Sequence, residues 1–222
     1  MSRATSSAED HDMTRYDSLD PRAPLRAFVV FMTELVGRTH DEASLIEGCH
    51  GALSELLTDD RWLPPDCSLP HPDHYQQYLL HCDPLERFSV TSFVWGPGQL
   101  TPVHDHTVWG LVGMLRGAEL SERFTRDAEG RLKSAGVSRL EVGGIETVSP
   151  RLGDIHKVSN AVQDQSSISI HVYGANIGAV LRHAFDAQTG APKDFVSGYS
   201  ATRVPNLWDR AAVVRAQALN LN

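Results

Sequence analysis

The sequence has only three cysteines, Cys49, Cys67 and Cys82, and they form neither a metal-type pair nor a disulfide framework. The N-terminal stretch MSRATSSAEDHDMTRYDS lacks the apolar centre of a signal peptide or anchor. Together these absences predict a reducing, cytoplasmic setting. No apolar run approaches the length of a membrane-spanning helix. Basic residues are also scarce: 20 Lys and Arg against 28 Asp and Glu leave a net charge of −8. That balance argues against nucleic acid or an anionic membrane as the main partner, since both need clustered positive charge. Repeats and low-complexity tracts are absent. What is abundant is histidine, 11 in 222 residues, several of them close together in mid-chain.

Length and a 41% hydrophobic fraction predict one good-sized folded domain over 21–222, behind a flexible N-terminus at 1–20. From Leu25, apolar residues recur at helical spacing (Phe28, Val29, Met32, Leu35, Val36), with Gly37 as a stop. A second helix is expected from about Asp41 to Leu57, so that 21–66 carries N-terminal helices. The prolines of LPPDCSLPHP then mark a boundary. Over 75–190 the texture becomes short β-rich segments: FSVTSFVW, VWGLVGML, AELSERF, RLEV, IETVSP, IHKVSN, SSISIHVYG and AVLRHAF. Close spacing of such segments predicts a mainly β sandwich or barrel. A last helix is expected over 205–219, packed on the barrel or on a second subunit; the sequence sets no oligomeric state.

The centre of the β-rich region reads GQLTPVHDHTVWGLVGMLRG. Residues two apart on a strand face the same side, so His104 and His106 can close on one metal ion. GIETVSPRLGDIHKVSN adds His156, just after a Gly153–Asp154 turn. The two segments resemble the paired motifs of the cupin superfamily. The first runs Gly98, His104, His106, Gly117; the second runs Pro150, Gly153, His156, Asn160, with one extra residue between proline and glycine. The resemblance implies a jelly-roll β-barrel with three histidines on one metal. Gly110 stands where the superfamily has a glutamate ligand. Asp105 points the wrong way along the strand and Glu119 lies too far along. The ligand set is then His104, His106 and His156, a neutral trio that keeps the full metal charge and open positions. Such a trio suits iron, zinc or copper.

SSISIHVYGAN alternates strictly. If Ile168, Ile170 and Val172 pack under the helices, then Ser169, His171 and Tyr173 face the barrel interior. A hydroxyl, an imidazole and a phenol at this spacing can form a hydrogen-bonded chain ending on a phenol beside the metal. The alternatives are a solvent-facing polar strand, or Ser169 and His171 as a hydrolytic pair. The second lacks both a strained turn and an acidic partner.

This strand, with three histidines and no glutamate, closely resembles the cysteine dioxygenase family of thiol dioxygenases. The resemblance spans roughly Tyr75 to Phe185. It implies ferrous iron, Fe(II), on His104, His106 and His156, with Ser169, His171 and Tyr173 as the accompanying triad. It implies addition of both atoms of O2 to a small thiol, giving a sulfinic acid. Animal members cross-link a cysteine near Gly110 to the tyrosine; here Tyr173 is expected to be a free phenol. Gln77 in HYQQYLLH stands where cysteine-specific members have arginine. That resembles the branch associated with 3-mercaptopropionate, with L-cysteine as the other substrate, and implies Arg182 as carboxylate clamp beside Gln77. Trp95 and Trp109 are expected to pack the barrel. The competing reading is a metal-binding cupin without oxygen chemistry, an isomerase-like enzyme or a small-molecule binding module.

Overall fold

The structure, a computed structural model, describes residues 20–200 and Arg215. The N-terminal segment before Asp20 and, Arg215 apart, the helix expected over 205–219 lie outside the described residues. Two helices come first. In α1 (Ala23–Arg38), Pro24 occupies the first turn, where its missing N–H leaves no bond unmade. Phe28, Met32 and Val36, four apart, form its buried stripe. The helix runs through Gly37 and ends one residue later. In α2 (Glu42–Leu56), the Asp41 carboxylate caps the end by accepting from the Ser44 N–H at 2.9 Å. Its buried face is Leu45, Cys49, Leu53 and Leu56.

Eleven antiparallel strands follow among the described residues. They are β1 (Gln76–Cys82), β2 (Ser89–Trp95), β3 (Val103–His104), β4 (Gly110–Arg116), β5 (Ala118–Arg126), β6 (Leu132–Glu141), β7 (Ile145–Val148), β8 (His156–Asn160), β9 (Ser167–Tyr173), β10 (Arg182–Phe185) and β11 (Pro192–Phe195). They form two sheets, ordered β1-β2-β9-β4-β7 and β11-β10-β3-β8-β5-β6. The chain is a mainly β jelly-roll barrel preceded by α-helices, as the motifs predicted. No helix among the described residues is long and apolar enough to cross a membrane.

β9 sits at the centre of the five-stranded sheet, between β2 and β4. Ile168, Ile170 and Val172 pack into one apolar cluster with Phe28, Met32 and Leu53 from the helices. Burying side chains of this size contributes about 1.5–3 kcal/mol each. Helix and sheet approach closely where β4 carries Gly113: a Cβ there would lie 2.6 Å from Leu57 Cδ1. With one face of β9 under the helices, period-two alternation turns Ser169, His171 and Tyr173 into the barrel.

Candidate metal centre

His104 on β3 and His156 on β8 are direct cross-strand partners in the six-stranded sheet. His106 is not on a strand: β3 ends at His104, and His106 lies in the loop beyond it. The same-face argument for the H-x-H pair therefore gave the right neighbours by a different route. Asp154 holds the loop in place. Its Oδ2 accepts from the backbone N–H of His106 (3.0 Å) and Thr107 (2.8 Å), and its Oδ1 accepts from His106 Nδ1 (2.9 Å). Asp105 does turn away, binding the His183 backbone N–H and ring, each at 2.8 Å. The three histidines converge, with one potential ligand atom from each lying within 4.8 Å of the others, and all three are buried. Among the described residues no carboxylate joins this group.

The imidazoles are tuned as ligands. His104 Nδ1 lies 3.1 Å from the Pro102 carbonyl oxygen, and His106 Nδ1 lies against the Asp154 carboxylate. Both partners only accept, so Nδ1 carries the proton and Nε2 keeps its lone pair. His156 Nδ1 meets the Ser121 hydroxyl at 3.3 Å. Burial, reinforced by Arg182, pulls His104 down to about 4. Burial and then the neighbouring rings push His106 and His156 well below the usual histidine range. Three neutral nitrogen donors at this spacing fit a divalent transition metal.

Gly110 pairs directly with Tyr173, and a Cβ added there would lie 2.5 Å from Tyr173 Cδ1. The position that would carry a fourth ligand is thus filled by the phenol ring itself. Tyr173 stacks on His106, with ring centroids 5.3 Å apart. On its other side the triad forms as read: Tyr173 Oη to His171 Nδ1 is 2.8 Å, and His171 Nε2 to Ser169 Oγ is 2.7 Å. Phe93 stacks on His171 at 4.0 Å. Burial drives His171 down to about 3, with His104 and Arg182 adding to it, so the ring is neutral. Burial likewise raises Tyr173 far above the usual phenol range.

These groups open on a cavity of about 280 Å³, also lined by Tyr75, Gln77, Trp95 and Arg182. Trp95 packs in the barrel core, as expected, and from there also lines the cavity and donates its indole N–H to Ser169 Oγ at 3.3 Å. Trp109 does belong to the apolar core. Arg182 is 3% exposed. Its Nη2 donates to Ser197 Oγ at 2.6 Å and its guanidinium lies over the Phe195 ring, but Nε has no partner. Among the described residues no carboxylate forms an ion pair with it. Gln77 Nε2 is likewise buried without a partner. The segment around Ser197 is held over the cavity by paired bonds between Ser200 and Gln77: Ser200 N–H to Gln77 O at 2.8 Å, and Gln77 N–H to Ser200 Oγ at 2.9 Å. Missed from the sequence were Asp154 as a clamp, Trp95 as a lining residue and Glu119 as a buried group beside Ser169. Only Asp154 left a signal, its turn position two residues before His156.

The family model for cysteine dioxygenase type I matches residues 73–188, just over half of the chain. Solved structures similar in fold include a double-stranded β-helix protein from Klebsiella pneumoniae, at 16% identity and TM-score 0.40, covering 50% of this chain and 80% of that one. A cupin superfamily protein from Desulfitobacterium hafniense matches at 14% identity and TM-score 0.39, covering 53% and 93%. An acetylacetone dioxygenase from Acinetobacter johnsonii matches at 17% identity and TM-score 0.39, covering 60% and 82%.

Proposed function

Because the chain belongs to the cysteine dioxygenase type I family, we propose that it is an iron-dependent thiol dioxygenase acting on a small thiol that bears a carboxylate. Its product is the sulfinic acid. The observation that carries this reading is a buried guanidinium, Arg182, without an ion-pair carboxylate among the described residues, in the same cavity as three neutral histidines. An unpaired buried cation is costly, and a substrate carboxylate removes the cost. The unpartnered Gln77 Nε2 offers that carboxylate, or a neighbouring polar group, a further donor.

The choice of thiol follows from charge. None of the cavity-lining residues is Asp or Glu, while Arg182 and Lys193 both line it. A ligand's ammonium group would find no counter-charge there. This favours 3-mercaptopropionate over L-cysteine, which carries the same carboxylate and thiol plus an ammonium. His104, His106 and His156 would hold the metal, and Fe(II), when bound, supplies the open positions and the redox chemistry. Arg182 and Gln77 fix the tail of the substrate and so the place of its sulfur. Tyr173, held by His171, presents its phenol oxygen to the reacting groups. Ser169 and Phe93 hold His171 in turn. Sulfur gives up the electrons that one O2 takes, and both oxygen atoms end on sulfur, so no other reductant is needed.

Oxygen uptake by Fe(II)-reconstituted protein tests the reading across 3-mercaptopropionate, L-cysteine and cysteamine. The expected order is that order, with sulfinate as product and little uptake with cysteamine, which has no carboxylate. Absence of uptake with both carboxylate thiols refutes the dioxygenase reading, and cysteamine as the best substrate refutes the role of Arg182.

A further inference from the structure

The hydrogen-bonded chain from Tyr173 through His171 reaches Ser169, which also accepts the Trp95 indole N–H. Beyond it lies Glu119, 1% exposed, on β5 in the opposite sheet. The Ser169 hydroxyl and the Trp95 indole N–H both face its carboxyl, while its Oε1 has no hydrogen-bond partner. No ligand histidine is bonded to it, and no step above uses it. A buried carboxyl with an orphaned oxygen needs a reason.

We propose that Glu119 is the far end of this chain, a positioning residue whose proton decides whether Tyr173 shows its O–H or its lone pair to the cavity. Each inner member can either donate or accept, so the chain has two polarities. Trp95 can only donate, and its one N–H is shared between Ser169 Oγ and the carboxyl in both. With Glu119 ionised, the Ser169 O–H points to the carboxylate. Ser169 then accepts from His171 Nε2–H, His171 Nδ1 accepts from the Tyr173 O–H, and the phenol offers lone pairs to the cavity. With Glu119 protonated, the Ser169 O–H turns to His171 Nε2. The Nδ1–H then donates to Tyr173, whose O–H is free to donate into the cavity. One proton at Glu119 thus moves no heavy atom but inverts the group nearest the chemistry.

Burial, with Glu146 adding repulsion, raises Glu119 to about 7, so both states are populated near neutral pH. The Ser169 hydroxyl and Trp95 indole N–H face it, while Glu146 and the Tyr173 phenol act on it by charge from farther off. Glu146 lies on β7 and binds Arg123 at 2.7 Å. The inference rests on the triad serving the proposed reaction, but its test needs neither metal nor thiol, so the two readings can fail separately.

The test is long-range 1H–15N correlation of His171 in metal-free, 15N-histidine-labelled protein, from about pH 5.5 to about pH 8.5. His171 should pass from the Nδ1–H tautomer to the Nε2–H tautomer on alkalinisation, with a midpoint near about 7. Glu119→Gln should hold one tautomer throughout. Glu146→Gln keeps Glu119 and provides an arm independent of whether the first variant folds: its midpoint should move to lower pH. In the iron-loaded enzyme, E119Q should lose the limb of the kcat profile near neutrality with KM changed by less than about twofold. A single tautomer across the range in the native protein overturns the proposal. So does a transition that persists in E119Q or keeps its midpoint in E146Q.

Discussion

Replacing Asp154 by Asn should weaken metal binding by about 10–100-fold, about 1.4–2.7 kcal/mol. The geometry leaves the amide no good orientation. If its oxygen stays on the His106 and Thr107 backbone N–H groups, now held at 3.0 and 2.8 Å, its NH2 faces His106 Nδ1. The ring must then shed its proton from Nδ1 and take it at Nε2, the atom the metal needs. If the amide flips, the ring keeps its tautomer but two backbone donors face an NH2. Those bonds also hold Thr107 at φ 60, a left-handed conformation that costs a β-branched residue about 1–2 kcal/mol. Competition of metal-free protein against a chromophoric chelator for Co(II) or Fe(II) reads the affinity directly. Asp105→Asn serves as the control. It makes the same chemical change between two ligands, but its partner is His183. D154N binding within about twofold of the native protein, or equal losses in D154N and D105N, would refute the tautomer argument.

Arg182→Ala should lower kcat/KM for 3-mercaptopropionate by about 30-fold or more, mainly through KM, the effect of removing one partner of a buried charge pair. Iron content should stay near that of the native protein, and parallel loss of iron would show a structural role instead. Gly110→Ala places a methyl against the Tyr173 ring. It should cost about 1–3 kcal/mol in denaturant unfolding and depress turnover more than metal loading. Stability should also carry the signature of Glu119. The unfolded side chain loses its proton near 4.5 and the folded one near about 7, so between them the native state binds more protons and stability falls as pH rises. Across that window the loss is about 3 kcal/mol, and comparison of E119Q with the native protein at both ends by urea titration should recover it.

The site was readable where chemistry and period coincide. H-x-H with a downstream His156 picks out the three histidines that converge, and strict alternation along β9 picks out the three side chains that hydrogen-bond inside the barrel. Both signals are local, and the jelly roll brings them together. Asp154 escaped because its role is tertiary: a turn residue becomes a clamp only once the β7–β8 turn meets the loop after β3. Glu119 was rightly set aside as a ligand, yet nothing in AELSERF says that its carboxyl is buried against the opposite sheet. Among the strands, β6 was glimpsed only at its end, RLEV, because most of it is exposed and shows no apolar period. The two-residue β3 is too short to carry a pattern at all. Gly110 read as a missing ligand; the structure gives the gap a positive use, as room for a phenol.

The barrel divides its labour between its leaves. His104 and His156 belong to the six-stranded sheet, and His106 lies in the loop just after β3 of that sheet, whereas Ser169, His171 and Tyr173 all ride on β9 of the five-stranded sheet. The two groups thus sit on different leaves and meet where the Tyr173 ring stacks on His106. The apolar filling between the leaves includes Phe93, Val148, Val158 and Ile177. Trimming it by a methyl group should slide the phenol relative to the ligand trio without loosening the trio. Turnover would be detuned while the ion stays held, so the spacing between leaves, as much as any single side chain, is what selection on rate would act upon.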